Sequence, residues 1–309
     1  KENGIETVEI FDQDLAVQKP KEIIREEVQA DCSKKIKTVL ENYILKDKES
    51  LREIEKTAEQ IIDDVFQNTE IAEIVFDIKE RSANLYDHAI TVSALSVITA
   101  IKMNMNRNSV YSIGVGSLLH DLGLKYISVD YINKDPNSLT PDNLFEFKKH
   151  TVYGFSSVEK ESWMSSASKK IILSHHEKVN GTGYPLKQTV IPAEVRIVSV
   201  CDAFDDMICG IGYKRMHVSE AIAYIRQQRD ISFDGMVVDQ FLQFVAAYPV
   251  GTMVQTTAGD KAIVVEQNEH FTDCPIIRLL QDQNGKEYEN ENLINLAEDR
   301  SVSIEKVLE

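Results

Sequence analysis

Three short stretches of this chain put metal-binding side chain types among hydrocarbon. They are "SLLHDLGL" around His120 and Asp121, "LSHHEKVNGTGYP" around His175 and His176, and "VSVCDAFDDMI" around Asp202, Asp205 and Asp206. The flanking residues are apolar enough to be buried, and burying several imidazoles and carboxylates without partners is costly. A fold that satisfies both demands collects these groups in one place and gives them a common partner.

Five of the seven histidines, His88, His120, His150, His175 and His176, fall in the middle of the chain, while His217 and His270 read as surface residues. A single histidine on an apolar helix is ordinarily a satisfied core residue. Here the motifs are adjacent pairs, His-Asp and His-His. Neighbouring helical residues point about 100° apart, so such a pair cannot share one apolar face but can grip ions at a helix end. Asp202, Asp205 and Asp206 stand at i, i+3 and i+4, so one helical turn carries three carboxylates. Like charges this close raise one another's pKa or require a cation; the bland alternative, strongest for Asp206, is a solvated face. Mixed His and Asp donors suit Mn, Fe or Zn better than Mg or Ca. More than four such donors indicate two ions, which points to metal-assisted hydrolysis of a phosphoester.

The 309 residues suffice for two or three domains. Residues 1–75 are charged with helical apolar spacing and read as an N-terminal helical module, with a homodimer through these helices as one expectation. Residues 76–247 are mainly helical, with Ile90, Ala94, Val97, Ile98 and Ile101 forming one buried stripe. Residues 248–309 change texture: short β-rich runs broken by Ala-Gly-Asp and Gln-Asn-Gly predict hairpins in a small appendage. A net charge of −16 argues against DNA or RNA as partners. A small anionic substrate would need metal to reverse the local field. Four scattered cysteines without a C-x-x-C pair read as reduced thiols, and no apolar run reaches membrane-spanning length. A cytoplasmic location is expected.

The joint pattern His120-Asp121, His175-His176-Glu177, Gly183-Tyr184-Pro185 and Asp202 resembles the HD-GYP family over about residues 80–250. That family is a branch of the helical HD phosphohydrolases that cleave cyclic di-GMP. The resemblance implies a mainly α, HD-type bundle, with cyclic di-GMP as substrate and the linear dinucleotide pGpG, with slow further cleavage to GMP, as product. It implies two divalent transition-metal ions, iron or manganese, held by His88, His120, Asp121, His150, His175, His176 and Asp202. A hydroxide bridging the metals together with Asp121 would attack phosphorus, with His120, Asp121 and Asp205 as the catalytic set. Tyr184 and Lys214, with Gly183 and Pro185, would meet the dinucleotide, and Glu177 would brace a ligand histidine.

The chain also departs from the family pattern. Where the family reads H-D-I-G-K, the lysine position is Leu124, and Lys125 comes one residue late. The arginine of R-P-Y-[KR], which would pair bidentately with a phosphate, is Ile211. Asp206 stands where the family has a small apolar residue, Asn180 replaces an aspartate, and Thr151 replaces a proline. Three-metal members carry a glutamate at the position of Asn84, so two ions are expected here. The metal ligands are thus complete while substrate-side residues are altered. Three readings follow: a cyclic di-GMP phosphodiesterase, a regulatory protein that binds metal and a cyclic dinucleotide without efficient turnover, or a phosphohydrolase of another nucleotide.

Overall fold

The computed structural model describes residues 20–44, 51–67, 75–289 and 292–308. The remaining parts of the expected N-terminal module lie outside the described residues. The chain divides into two compact units, Lys21–Ala247 and a unit that takes in Tyr248 onward.

The first unit is helical. Its elements are α1 (Glu26–Ile44), α2 (Glu53–Gln67), α3 (Leu85–Lys102), α4 (Arg107–Leu118), α5 (Pro141–Lys148), α6 (His150–Val158), α7 (Ser166–Ser174), α8 (Ala193–Cys209), α9 (Val218–Gln227) and α10 (Gly235–Phe241). A tight 3-10 turn, Leu122–Tyr126, follows the His120-Asp121 pair. Several helices start on polar caps read directly from composition. Asn84, Asn106, Thr140, Ser165 and Asp234 each accept from a backbone N–H of the first turn. Gly210, with φ of 82°, ends α8 in the left-handed conformation.

The helix α3 is the axis of this unit, packed against α1, α2, α4, α8 and α10. The expected apolar stripe understates its burial. Ser93, Ser96 and Thr99 are also fully buried, on the side the stripe leaves polar. The Ser93 hydroxyl donates to the Gly114 carbonyl of α4, and the Thr99 hydroxyl donates to its own Leu95 carbonyl. A small hydroxyl that satisfies itself on backbone buries almost as easily as alanine, so periodicity alone misses these faces.

The boundary expected near residue 75 falls inside this unit. Cys32 and Ile36 of α1 and Ile54, Ala58 and Ile61 of α2 are fully buried, with α1 against α2 and α3, and α2 against α3 and α4. The apolar faces that suggested a separate module are used within the unit.

The second unit is a five-stranded antiparallel sheet of order β4-β3-β2-β1-β5. Its strands are β1 (Met253–Thr256), β2 (Lys261–Asn268), β3 (Phe271–Gln281), β4 (Leu293–Asn295) and β5 (Ile304–Val307). Met253 pairs with Ile263 across the predicted Ala-Gly-Asp turn. Val250, Val254, Ala262, Val264, Ile277 and Leu296 form its core. Architecture of the whole is therefore mainly α with a small β-rich C-terminal part. No helix among the described residues is long and apolar enough to cross a membrane.

One close approach positions the site. The 3-10 turn lies against α6 so tightly that a Cβ on Gly123 would sit 1.8 Å from the His150 carbonyl oxygen and 2.7 Å from the Gly154 nitrogen. Both neighbours are backbone and cannot step aside. Gly123→Ala is expected to cost about 3 kcal/mol, the upper end for overpacking. Urea denaturation of the variant against the parent chain measures it; a change under about 0.5 kcal/mol would mean the two backbones are not in contact.

Candidate metal centre

Five elements deliver the ionisable residues. His88 lies on α3, the His120-Asp121 pair follows α4, and His150 is the first residue of α6. His175 is the C-terminal cap of α7 and His176 follows it. Asp202, Asp205 and Asp206 share the second half of α8. His88, His120, His150 and His175 have no solvent exposure, and Asp202 has 1%.

What each imidazole can do is settled by its Nδ1. His120 Nδ1 is 2.6 Å from the Ser117 carbonyl oxygen, His150 Nδ1 is 2.8 Å from that of Phe147, and His175 Nδ1 is 3.1 Å from that of Ile172. A carbonyl only accepts, so each Nδ1 carries the proton and each Nε2 is left with its lone pair. His88 donates from Nδ1 to Asp205 Oδ2 at 2.8 Å. The freed nitrogens then face one another: His88 and His120 Nε2 are 3.1 Å apart, and His150 and His175 Nε2 are 3.3 Å apart. Two lone pairs at that distance repel unless something positive lies beside them.

Asp121 stands between the two pairs. Its Oδ2 is 3.5 Å from His120 Nε2 and 3.6 Å from His88 Nε2, while Oδ1 is 3.5 Å from His150 Nε2 and 3.7 Å from His175 Nε2. Asp202 Oδ1 is 2.9 Å from His120 Nε2 and 3.3 Å from His88 Nε2, and its Oδ2 is 3.7 Å from His176 Nδ1. Metal–ligand bonds of about 2.1 Å place neighbouring ligands of one ion roughly 3.0 to 3.5 Å apart. The spacings match that edge length. The residues fit divalent metal: His88, His120 and Asp202 form one group of candidate ligands, and Asp121, His150, His175 and His176 form another.

The electrostatics point the same way. Asp202 Oδ2, Asp205 Oδ1 and Asp206 Oδ1 are buried without a hydrogen-bond donor. Burial drives the His176 imidazole well below its ordinary pKa and His175 down to about 3, so both are neutral and able to coordinate. Burial opposes the charged form of His88 too, but hydrogen bonds to Asp202 and Asp205 raise it well above its usual value. Burial, with the Asp202 charge beside it, pushes the Asp206 carboxyl well above the usual carboxylate range.

Two expected roles change. Asp205, expected in the catalytic set, is fully buried and spends Oδ2 on His88 Nδ1 and on Arg81 Nη2 at 2.5 Å. It positions His88 and does not face the Nε2 cluster. Glu177, expected to brace a histidine, instead accepts the backbone N–H groups of Leu186, Lys187 and Gln188 at 2.6, 3.1 and 3.0 Å. A carboxylate that gathers three amides fixes a loop, here the turn that carries Gly183-Tyr184-Pro185. A Cβ on Gly183 would lie 2.4 Å from the Lys178 nitrogen, so only glycine lets this turn fold back onto residues 176–178. The turn in turn stacks Tyr184 on His176, with ring centroids 4.7 Å apart at 29°.

Other residues fall as follows. Lys214 is exposed, and no contact brings it to the cluster. Lys125 reaches away to the Leu40 carbonyl of α1 at 2.8 Å. Asn84 uses its side-chain oxygen to cap α3. Leu124 and Ile211, the two positions where cations were expected, pack into a single apolar cluster with Tyr131, Phe147 and Cys209. The sequence reading missed Arg81, since nothing in its neighbourhood marks it; only its pairing with Asp205, 124 residues away, gives it a role.

Asp205→Ala removes the acceptor that holds His88 Nδ1, and metal affinity is expected to fall about 10- to 100-fold, as is usual when such an outer partner is lost. Titration of the chelator-stripped chain with Mn²⁺ measures this. Glu177→Ala leaves three amides unpaired and is expected to destabilise the protein by about 1–3 kcal/mol, read by urea denaturation.

Comparison with known proteins points to a family. A family model described as "HD domain" matches residues 70–237. A cyclic di-GMP phosphodiesterase of Pseudomonas aeruginosa is 29% identical over 205 residues, covering 65% of this chain and 49% of the relative. One from Thermotoga maritima is 32% identical over 214 residues, covering 65% of this chain and 56% of the relative. The chain thus spans about half the length of these curated relatives. Among solved structures, an HDG"Y"P protein of Bdellovibrio bacteriovorus superposes with a TM-score of 0.58 at 22% identity, covering 69% of each chain. The residues matched by the family model include those that build the cluster: the chain belongs to the HD domain family, with the motif of its HD-GYP branch.

Proposed function

We propose that this protein is a two-metal phosphodiesterase that hydrolyses cyclic di-GMP to linear pGpG. The observation that carries the proposal is the pair of opposed Nε2 lone pairs, His88 with His120 and His150 with His175, bridged by the two oxygens of Asp121. The names of the relatives supply the substrate. Bound iron or manganese would supply a water acidic enough to be a nucleophile at neutral pH and would offset charge on the phosphate oxygens.

The chain's own residues do the rest. His88, His120, Asp121 and Asp202 would hold one ion, and His150, His175 and His176 the other, with Asp121 shared. Arg81 and Asp205 fix the His88 ring, and the carbonyls of Ser117, Phe147 and Ile172 fix the rings of His120, His150 and His175. The Tyr184 ring, stacked on His176, offers an aromatic face beside the site for a guanine base. Gly183 and Pro185 set that face. Lys214, exposed, is a cation available to a phosphate arriving from solvent.

A second reading has its own support. The burial of Leu124 and Ile211 in one apolar cluster leaves no cation at either position for a phosphate, which favours a protein that binds metal and a cyclic dinucleotide with weak turnover. Chromatography of cyclic di-GMP after incubation with the Mn²⁺-loaded or anaerobic Fe²⁺-loaded chain separates the two. The expected result is a pGpG peak that is lost, by at least about 1,000-fold in rate, in the double variant His120→Ala, Asp121→Ala. Unchanged substrate from a chain whose metal content is confirmed would sink the phosphodiesterase and favour the second reading.

A further inference from the structure

The seven ligands assigned by resemblance leave one carboxylate of the site unexplained. Asp206 is 4% exposed. Its Oδ1 has no hydrogen-bond donor. That atom lies 3.6 Å from His88 Nε2, the nitrogen left with a lone pair once Nδ1 is given to Asp205. Asp206 also groups with His176 and Asp202, their ligand atoms all lying within 4.8 Å of one another. It stands one helical turn after Asp202 on α8, so the two carboxylates project to the same side. The expectation of a solvated face is thus replaced by a buried acceptor aimed at other acceptors.

A buried carboxyl oxygen without a donor, set among other acceptors, is stable as an anion only with a cation in reach. We propose that Asp206 is an additional metal ligand, an eighth protein donor to the ion that His88, His120 and Asp202 would hold. The proposal rests on the reading of the cluster as a metal centre and goes beyond it, because this position resembles a small apolar residue in the family motif. The extra oxygen donor shifts the set toward Mn²⁺, which accepts carboxylate readily, and away from Zn²⁺. It also adds negative charge in a site where Leu124 and Ile211 bring none of the positive charge the motif would supply. Affinity for a phosphodiester then depends more heavily on the bound ions.

The test compares the full chain with Asp206→Ala and the nearly isosteric Asp206→Asn. Each is stripped with a chelator and titrated with Mn²⁺, and separately saturated with Co²⁺ for its visible d–d spectrum. The expected result is at least about 10-fold weaker binding of one Mn²⁺ equivalent in Asp206→Ala, with Co²⁺ bands changed in position or intensity at saturation. Asp206→Asn, which keeps a neutral oxygen, is expected to fall between, and it carries the comparison alone if the alanine variant does not fold. Superimposable Co²⁺ spectra at saturation would overturn the proposal even if affinity drops, because the carboxylate would then act only through its charge. A parent chain that binds neither ion would overturn both the proposal and the metal-centre reading. A parent chain that binds metal but leaves cyclic di-GMP intact would overturn the phosphodiesterase alone.

Discussion

Hydrogen bonds from imidazole Nδ1 to main-chain carbonyls are the constraint on which the site depends. The last carbonyls of a helix lack intrahelical partners. Ser117, Phe147 and Ile172 lie in the last turns of α4, α5 and α7, and each takes the Nδ1 proton of a histidine three residues later. One device therefore solves two problems: a helix end gains a donor, and a ring is fixed with its lone pair turned inward. His88 lies within α3, where carbonyls are already used by the helix. It needs a separate acceptor, and Asp205 with Arg81 behind it provides one.

The same constraint explains why the centre tolerates change around it. Orientation of the His88, His120, His150 and His175 rings comes from backbone carbonyls and from one half-buried ion pair. Leu124 and Ile211 could exchange charge for hydrocarbon and still pack, because they join Tyr131, Phe147 and Cys209 in one cluster. Asp206 faces the same cluster from α8, with its Oδ1 3.6 Å from His88 Nε2.

Most of the centre was legible in the sequence because its residues are rare types in a dense pattern. His120-Asp121, His175-His176 and Asp202 are named by adjacency and by apolar flanks, and His88 and His150 by the family motif. The mainly α architecture and the β-rich tail followed from periodicity and turn residues. Residues whose roles come from long-range partners were not legible. Arg81 meets Asp205 across 124 positions, and Glu177 reaches forward to amides of the turn it secures. Nor did charge pattern show that α1 and α2 belong to the same unit as α3, since their packing partners lie far along the chain. Asp206 was misjudged for a related reason: a carboxylate reads as solvent-facing until its neighbours are known.

The contact between the turn after Asp121 and helix α6 acts as a gauge block. With Gly123 seated against the His150 carbonyl and Gly154 beside it, no side chain intervenes between the backbone that carries the His120-Asp121 pair and the backbone that carries His150. The separation between the two halves of the centre is then a machined dimension, set by atoms that every residue type shares and no rotamer can adjust. Any ions bound there would have to adapt to the gap. Drift in the surrounding sequence can retune what the site accepts, but it cannot widen the jaws without first replacing a glycine.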